Sequence, residues 1–156
     1  MKRNSTMRDF HCFYRQQLPV PGSHAKAVTY PACEWRVPEH EHAQAAWHPI
    51  NRFVCSWLTS DMSEVTRCDE VLNAMAQLEA HTRQQWFVDG DAFCVDFKPN
   101  GVQFNPSHVG PEDTAYWNLP EAHFTLSEVR ACLRLWRDFL AQAPRHDVDG
   151  TEIQRG

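Results

Sequence analysis

The chain has 156 residues and a mass of 18.1 kDa, with 42% apolar residues, 12% aromatic residues and a formal net charge of −5. That length suits one domain of roughly 100–200 residues, and the apolar content suits a packed core rather than a disordered chain. No apolar run exceeds four residues (92–95), against the ~20 a membrane helix needs. Residues 1–20 also lack the apolar stretch of about 7–15 residues in a secretory signal, so the expectation is a cytoplasmic protein.

Residues 1–50 hold five of the ten prolines and five of the nine histidines. Proline removes backbone donors and limits regular structure, so this part reads as loop-rich, with short strands at 27–30 and 33–37. Phe53, Val54, Cys55 and Trp57 predict a better strand over 52–58. Ser60, Asp61 and Ser63 offer helix N-caps. Val65, Cys68, Leu72 and Met75 then recur with a period near 3.6, which predicts a helix from about residue 62 to 82.

Residues 86–88 read as a strand ending in the turn Asp89-Gly90-Asp91. Phe93, Val95 and Phe97 alternate with polar positions, Asn100-Gly101 supplies a hairpin turn, and 102–104 alternates again. Residues 105–113, with Pro106, Gly110 and Pro111, read as a loop, and 116–119 as an edge strand. Thr125 and Glu128 have capping-box spacing, and Phe124 with Val129 fits a hydrophobic staple. Val129, Cys132, Leu133, Trp136 and Leu140 form the apolar stripe of a last helix. Residues 145–156 read as a loose polar tail. The fold class is α+β: one domain over residues 1–144, with an antiparallel meander of about four to six strands and two main helices on one face.

The six cysteines, Cys12, Cys33, Cys55, Cys68, Cys94 and Cys132, are 13 to 38 residues apart and include no C-x-x-C pair. That speaks against a zinc ribbon or thioredoxin-type site. They read as small buried hydrophobes kept as thiols. Cys55 and Cys94 fall in predicted strands, and Cys68 and Cys132 on helix stripes.

Charge is unevenly distributed. Residues 1–60 carry seven Lys/Arg against four Asp/Glu, and residues 61–156 carry eight against sixteen. Between 84 and 128, Asp89, Asp91, Asp96, Glu112, Asp113, Glu121 and Glu128 face Lys98 alone. Such a surface repels nucleic-acid phosphate and steers a basic partner toward it, although a solvated acidic face would carry the same charges.

Catalytic patterns are weak. His40 and His42 at i and i+2 would share one face of a strand, and with His48 or Glu39 could hold zinc or another divalent ion; a polar exposed loop is the plainer reading. Ser107-His108 with Glu112 and Asp113 lacks a G-x-S-x-G elbow. Asp89, Asp91 and Asp96 could form catalytic carboxylate pairs, but a D-G-D turn needs no such role. Gly90, Gly101 and Gly110 stand apart, so there is no phosphate loop. Arg130, Arg134 and Arg137 read as a solvated helix face paired with Asp138 and Glu128. Six tryptophans suit core packing, or interface anchors where exposed.

The stretch Trp86 to Val95 with Gly90-Asp91-Ala92-Phe93-Cys94, the acidic loop at Glu112-Asp113, and Phe124, Leu133 and Trp136-Arg137-Asp138-Phe139-Leu140 resemble the YacL-like family of small proteobacterial proteins, over roughly residues 52–141. That resemblance implies a housekeeping role without a toxin. In type, the chain also resembles the immunity proteins of bacterial contact-dependent growth inhibition systems, which are single-domain, acidic, rich in aromatics and free of catalytic motifs. This resemblance implies a non-enzymatic protein, without cofactor or nucleic-acid partner, that binds the C-terminal toxic domain of a large exported protein, often a nuclease. A nuclease is basic because it grips phosphate. Asp89, Asp91, Asp96, Glu112 and Asp113 are the expected toxin-binding carboxylates, with Tyr116 or Trp117 as anchor. The alternative is a small metal protein or enzyme using His40, His42 and His48.

Overall fold

Strands β1 (Phe10–Gln17) and β2 (Val28–Trp35) pair antiparallel over their full length, from Phe10 opposite Trp35 to Gln17 opposite Val28. The computed structural model describes residues 7–142 and the strand Ile153–Arg155. Phe10, Cys12 and Tyr14 alternate into the core, so the proline- and histidine-rich first part contains two eight-residue strands rather than mostly loop. The strands expected at 27–30 and 33–37 are one element. Pro31 is tolerated in it because β2 is the edge strand of its sheet.

Residues 52–58 are helical, not a strand. A wide-turned segment, Ile50–Cys55, runs directly into helix α1 (Ser56–Asp61). The buried residues Ile50, Phe53, Val54, Trp57 and Leu58 recur every three or four positions, which is a helix stripe; their aromatic and β-branched character suggested strand instead. Cys55 therefore sits on a helix.

Helix α2 (Val65–Glu79) buries Cys68, Val71, Met75 and Leu78. It starts later than expected, because Met62 ends α1 and is itself fully buried. Its N-cap is Glu64, which makes no side-chain cap.

The second sheet has the order β3 (Trp86–Asp89), β4 (Phe93–Lys98), β5 (Gly101–Pro106), β6 (His123–Phe124), all antiparallel. The Asn100-Gly101 turn forms as expected. Gly101 has φ +145, and a Cβ there would lie 2.8 Å from the Phe124 carbonyl oxygen, so close strand approach requires glycine. Residues 116–119 are turns, not an edge strand; Asn118 is left-handed at φ 53, and the edge is β6 instead.

Helix α3 (Leu126–Ala141) has its capping box: Glu128 N–H donates to Thr125 Oγ1 (3.0 Å), and Thr125 N–H donates to Glu128 Oε1 (2.9 Å). Helices α2 and α3 lie against each other, α2 touching β4 and α3 touching both β5 and β1. Arg137 reaches across to Asp69 (2.8 and 3.3 Å) and Arg130 to Glu79. The expected intrahelical partner Asp138 is also met by Arg137 (3.4 Å), while the Glu128 carboxylate serves the cap.

One hydrophobic cluster runs from Phe10 in β1 to Phe139 in α3. The α+β class stands, with the strands in two sheets sharing this core rather than in a single meander. The expected loose tail lies largely outside the described residues, but Ile153–Arg155 forms β7 and pairs with β1, Ile153 opposite Tyr14. Among the described residues no helix is long and apolar enough to cross a membrane.

Candidate functional site

The four-stranded sheet buries Val88, Val95, Phe97, Val102, Phe104 and Phe124 on its inner face. Alternation then sends Phe87, Asp89, Cys94, Asp96, Gln103 and Asn105 to the outer face. Register aligns them in two rows: Phe87, Asp96 and Gln103, then Asp89, Cys94 and Asn105. Phe87 is 54% exposed, a large apolar ring standing between two carboxylates.

The carboxylates are not equivalent. Asp96 accepts a hydrogen bond from Gln85 Nε2 (2.6 Å) and lies 3.6 Å from Lys98 Nζ, so its charge is partly balanced. Asp89 accepts from the Cys94 thiol (3.1 Å). Desolvation, and then the Asp89 carboxylate, push that thiol up to about 11.

Asp61, at the end of α1, fixes the turn between β3 and β4. Its carboxylate accepts from the backbone N–H of Ala92 (3.0 Å) and of Phe93 (3.0 Å). Gly90 is required by this close approach, since a Cβ would sit 2.5 Å from Asp61 Oδ2. Sequence reading assigned Asp61 to a helix cap; nothing local reveals a partner 31 residues away.

Asp61→Ala should leave two amides without their acceptor and lower stability by about 1–3 kcal/mol. Amide exchange at Ala92 and Phe93 should accelerate selectively. Unchanged protection of those two amides would refute the anchoring role.

The acidic loop is tied to the same turn. Ser107 Oγ donates to the Asp91 carbonyl (2.5 Å) and Ser107 N–H to the Ala92 carbonyl (3.1 Å). Ser107 thus ties the loop to the turn between β3 and β4. At the loop's far end, buried Asn105 donates to Asn118 Oδ1 (3.0 Å) and accepts from Asn118 N–H (2.7 Å). Gln103 Nε2 holds the Leu119 carbonyl (3.0 Å).

Between these ties the N–H groups of Tyr116 and Trp117 both donate to the Asp113 carbonyl (3.0 Å each). That turn leaves Tyr116 54% exposed and Trp117 half-buried. The fold therefore brings Asp89, Asp91, Glu112, Asp113, Tyr116 and Trp117 to one end of the sheet. Asp96 lies on the same outer face, in the neighbouring row toward Lys98. Phe87 shares that row with Asp96 and follows Asp89 along β3 on the outer face; sequence reasoning missed it, and its alternation with buried Val88 is the signal for it.

The histidines do not assemble as the strand reading requires. His40 and His42 lie in a run of 3-10 turns, Glu39–Trp47, where i and i+2 do not share a face. His48 stacks on Trp35, and its Nδ1 accepts from Ile50 N–H (3.2 Å). Among the described residues no group of three or more His, Cys, Asp or Glu is placed to hold a metal ion.

A cleft of about 750 Å³ follows the free edge of β2, with Arg15, Tyr30 and Arg36 on one side and Ser56, Thr59 and Ser60 on the other. Asn51 closes one end as a substitute strand: its Oδ1 accepts from Trp35 N–H (2.7 Å), and its Nδ2 donates to the Trp35 carbonyl (2.8 Å) and the Ala45 carbonyl (3.0 Å). Buried Cys33 and Cys55 line its inner wall. The cleft joins residues from β1, β2 and α1, and no sequence motif marks it. No family model, curated protein or solved structure matches this chain.

Proposed function

We propose that this protein is a non-enzymatic immunity protein that binds a basic toxin domain, a nuclease by the logic of charge, and occludes its active site or substrate groove. One observation carries the reading: Asp89, Asp91, Glu112, Asp113 and the exposed Tyr116 gather at one end of the four-stranded sheet, and the exposed ring of Phe87 follows Asp89 along β3 on the same outer face, in the row of Asp96. Aromatic side chains are enriched among the residues that carry most of the binding energy of protein interfaces. The carboxylates steer a cationic partner and reject nucleic acid.

The backbone that carries them is held by Asp61, Ser107 and Asn105. A surface held in place loses little freedom on binding, which favours affinity. The only lysine or arginine between residues 84 and 128 is Lys98, at the far end of β4 from this surface.

The test is a tagged pull-down from the native host, washed at low and at high salt, with mass spectrometry of the retained proteins. Recovery of one stoichiometric basic fragment of a large exported protein is the expected result. Its release at high salt identifies electrostatics as the main hold. Retention of no basic protein overturns the reading.

A further inference from the structure

Cys12 of β1, Cys33 of β2, Cys55 ahead of α1 and Cys132 of α3 lie close enough in the core to influence one another's ionisation. Cys33 is the one of these that both faces another cysteine across a strand pair and lines the cleft. Its Sγ lies 3.8 Å from the Cys55 carbonyl oxygen and 4.0 Å from Thr59 Oγ1, both on the cleft wall.

The strand register places Cys33 opposite Cys12. Arg36 N–H donates to the Asp9 carbonyl (2.7 Å), which brackets Phe10 and Trp35 as a non-hydrogen-bonded pair. Alternation makes Cys12 and Cys33, two positions on, another such pair. Residues so paired have Cα atoms about 4.5 Å apart with side chains on one face, within the roughly 4.4–6.8 Å range of disulfides. No other two cysteines among the described residues share a strand register, apart from this pair.

We propose that Cys33 is a thiol modification site: a small hydroperoxide entering the cleft oxidises it, and Cys12 closes on it as an intramolecular disulfide. In the first step the Cys33 sulfur attacks one oxygen of hydrogen peroxide and the O–O bond breaks. Cys33 becomes a sulfenic acid, and the leaving hydroxide takes the thiol proton as water. In the second step the Cys12 sulfur attacks the sulfenic sulfur. The S–S bond forms, the S–O bond breaks, and hydroxide leaves with the Cys12 proton as a second water. Two thiols lose two electrons and one peroxide is reduced to two waters.

Burial holds Cys12 and Cys132 far above the ordinary thiol range, so neither initiates the reaction. The chemistry starts at the cleft, and Cys12 acts only once the neighbouring sulfur is electrophilic.

The experiment treats the reduced full chain with hydrogen peroxide, blocks remaining thiols with N-ethylmaleimide, and maps tryptic peptides without reduction. The expected product has lost two hydrogens and links peptides 9–15 and 27–36. In Cys12→Ala, dimedone should instead trap a sulfenic acid on Cys33, and in Cys33→Ala neither product should form. A disulfide between Cys33 and Cys55, oxidation confined to Cys94, or no oxidation under conditions that oxidise free cysteine overturns the proposal. The map of the unsubstituted chain decides the pairing even if a variant folds poorly.

Discussion

Trp136→Ala should destabilise the protein by about 3–5 kcal/mol, the range for removing a large aromatic side chain from a packed core. Domains of this kind are stable by only about 5–15 kcal/mol, so the urea midpoint should fall by a large fraction of its value. Trp136 is fully buried in α3, stacks on Phe139 at 6.2 Å, and its Nε1–H donates to the Met62 carbonyl at 2.7 Å. That bond ties the last helix to the link between α1 and α2, and the other donor to the same carbonyl is the weak Cys68 thiol (3.8 Å).

The effect separates into packing and hydrogen bonding. Trp136→Phe keeps most of the ring but deprives a buried carbonyl of its strong donor, a loss of about 1–3 kcal/mol. Trp57 is the internal comparison. It is equally buried, tilted against Phe97 and edge-on to Phe104, and its Nε1 has no hydrogen-bond partner among the described residues. Trp57→Phe therefore removes no bond and should cost less than Trp136→Phe. Equal losses for the two phenylalanine variants would refute the assigned role of the Met62 contact.

Simultaneous replacement of Asp89, Asp91, Glu112 and Asp113 by lysine should weaken binding of the basic partner by on the order of 2–4 kcal/mol, reading each exposed charge at up to about 1 kcal/mol. Most of the loss should appear in the association rate and shrink as salt is added. Asp96→Lys should do less, because Gln85 and Lys98 already engage that carboxylate. Calorimetry or surface plasmon resonance against the recovered partner at two salt concentrations measures both effects. Unchanged affinity in the fourfold variant would move the interface off this end of the sheet.

Local rules made several elements readable from residues alone. The Asn100-Gly101 hairpin, the alternation of β4 and the Thr125–Glu128 cap follow from contacts within a few residues of one another, where spacing and conformational preference act directly. The same reliance on local preference points to a strand over 52–58, where the chain is helical: its side chains favour strands, and only their three- and four-residue recurrence points to helix. β1 and β2 were hidden by proline and histidine content, because a proline on an edge strand looks in sequence like a proline in a loop.

The candidate surface divides the same way. Its charge was visible, since Asp89, Asp91, Glu112 and Asp113 stand in a stretch almost without cations. Its assembly was not, because Asp61 meets Ala92 and Asn105 meets Asn118 through pairings that no local spacing encodes.

By itself the sequence determined the α+β class, the acidic stretch and the capped last helix, since these depend on periodicity, composition and short-range hydrogen bonds. Only the tertiary structure decided that the strands form two sheets, that Cys33 lines an edge cleft opposite Cys12, and that Phe87 and Tyr116 are exposed on the same sheet as the carboxylates. Those features arise where segments distant in the chain are pressed together by burial of one shared core.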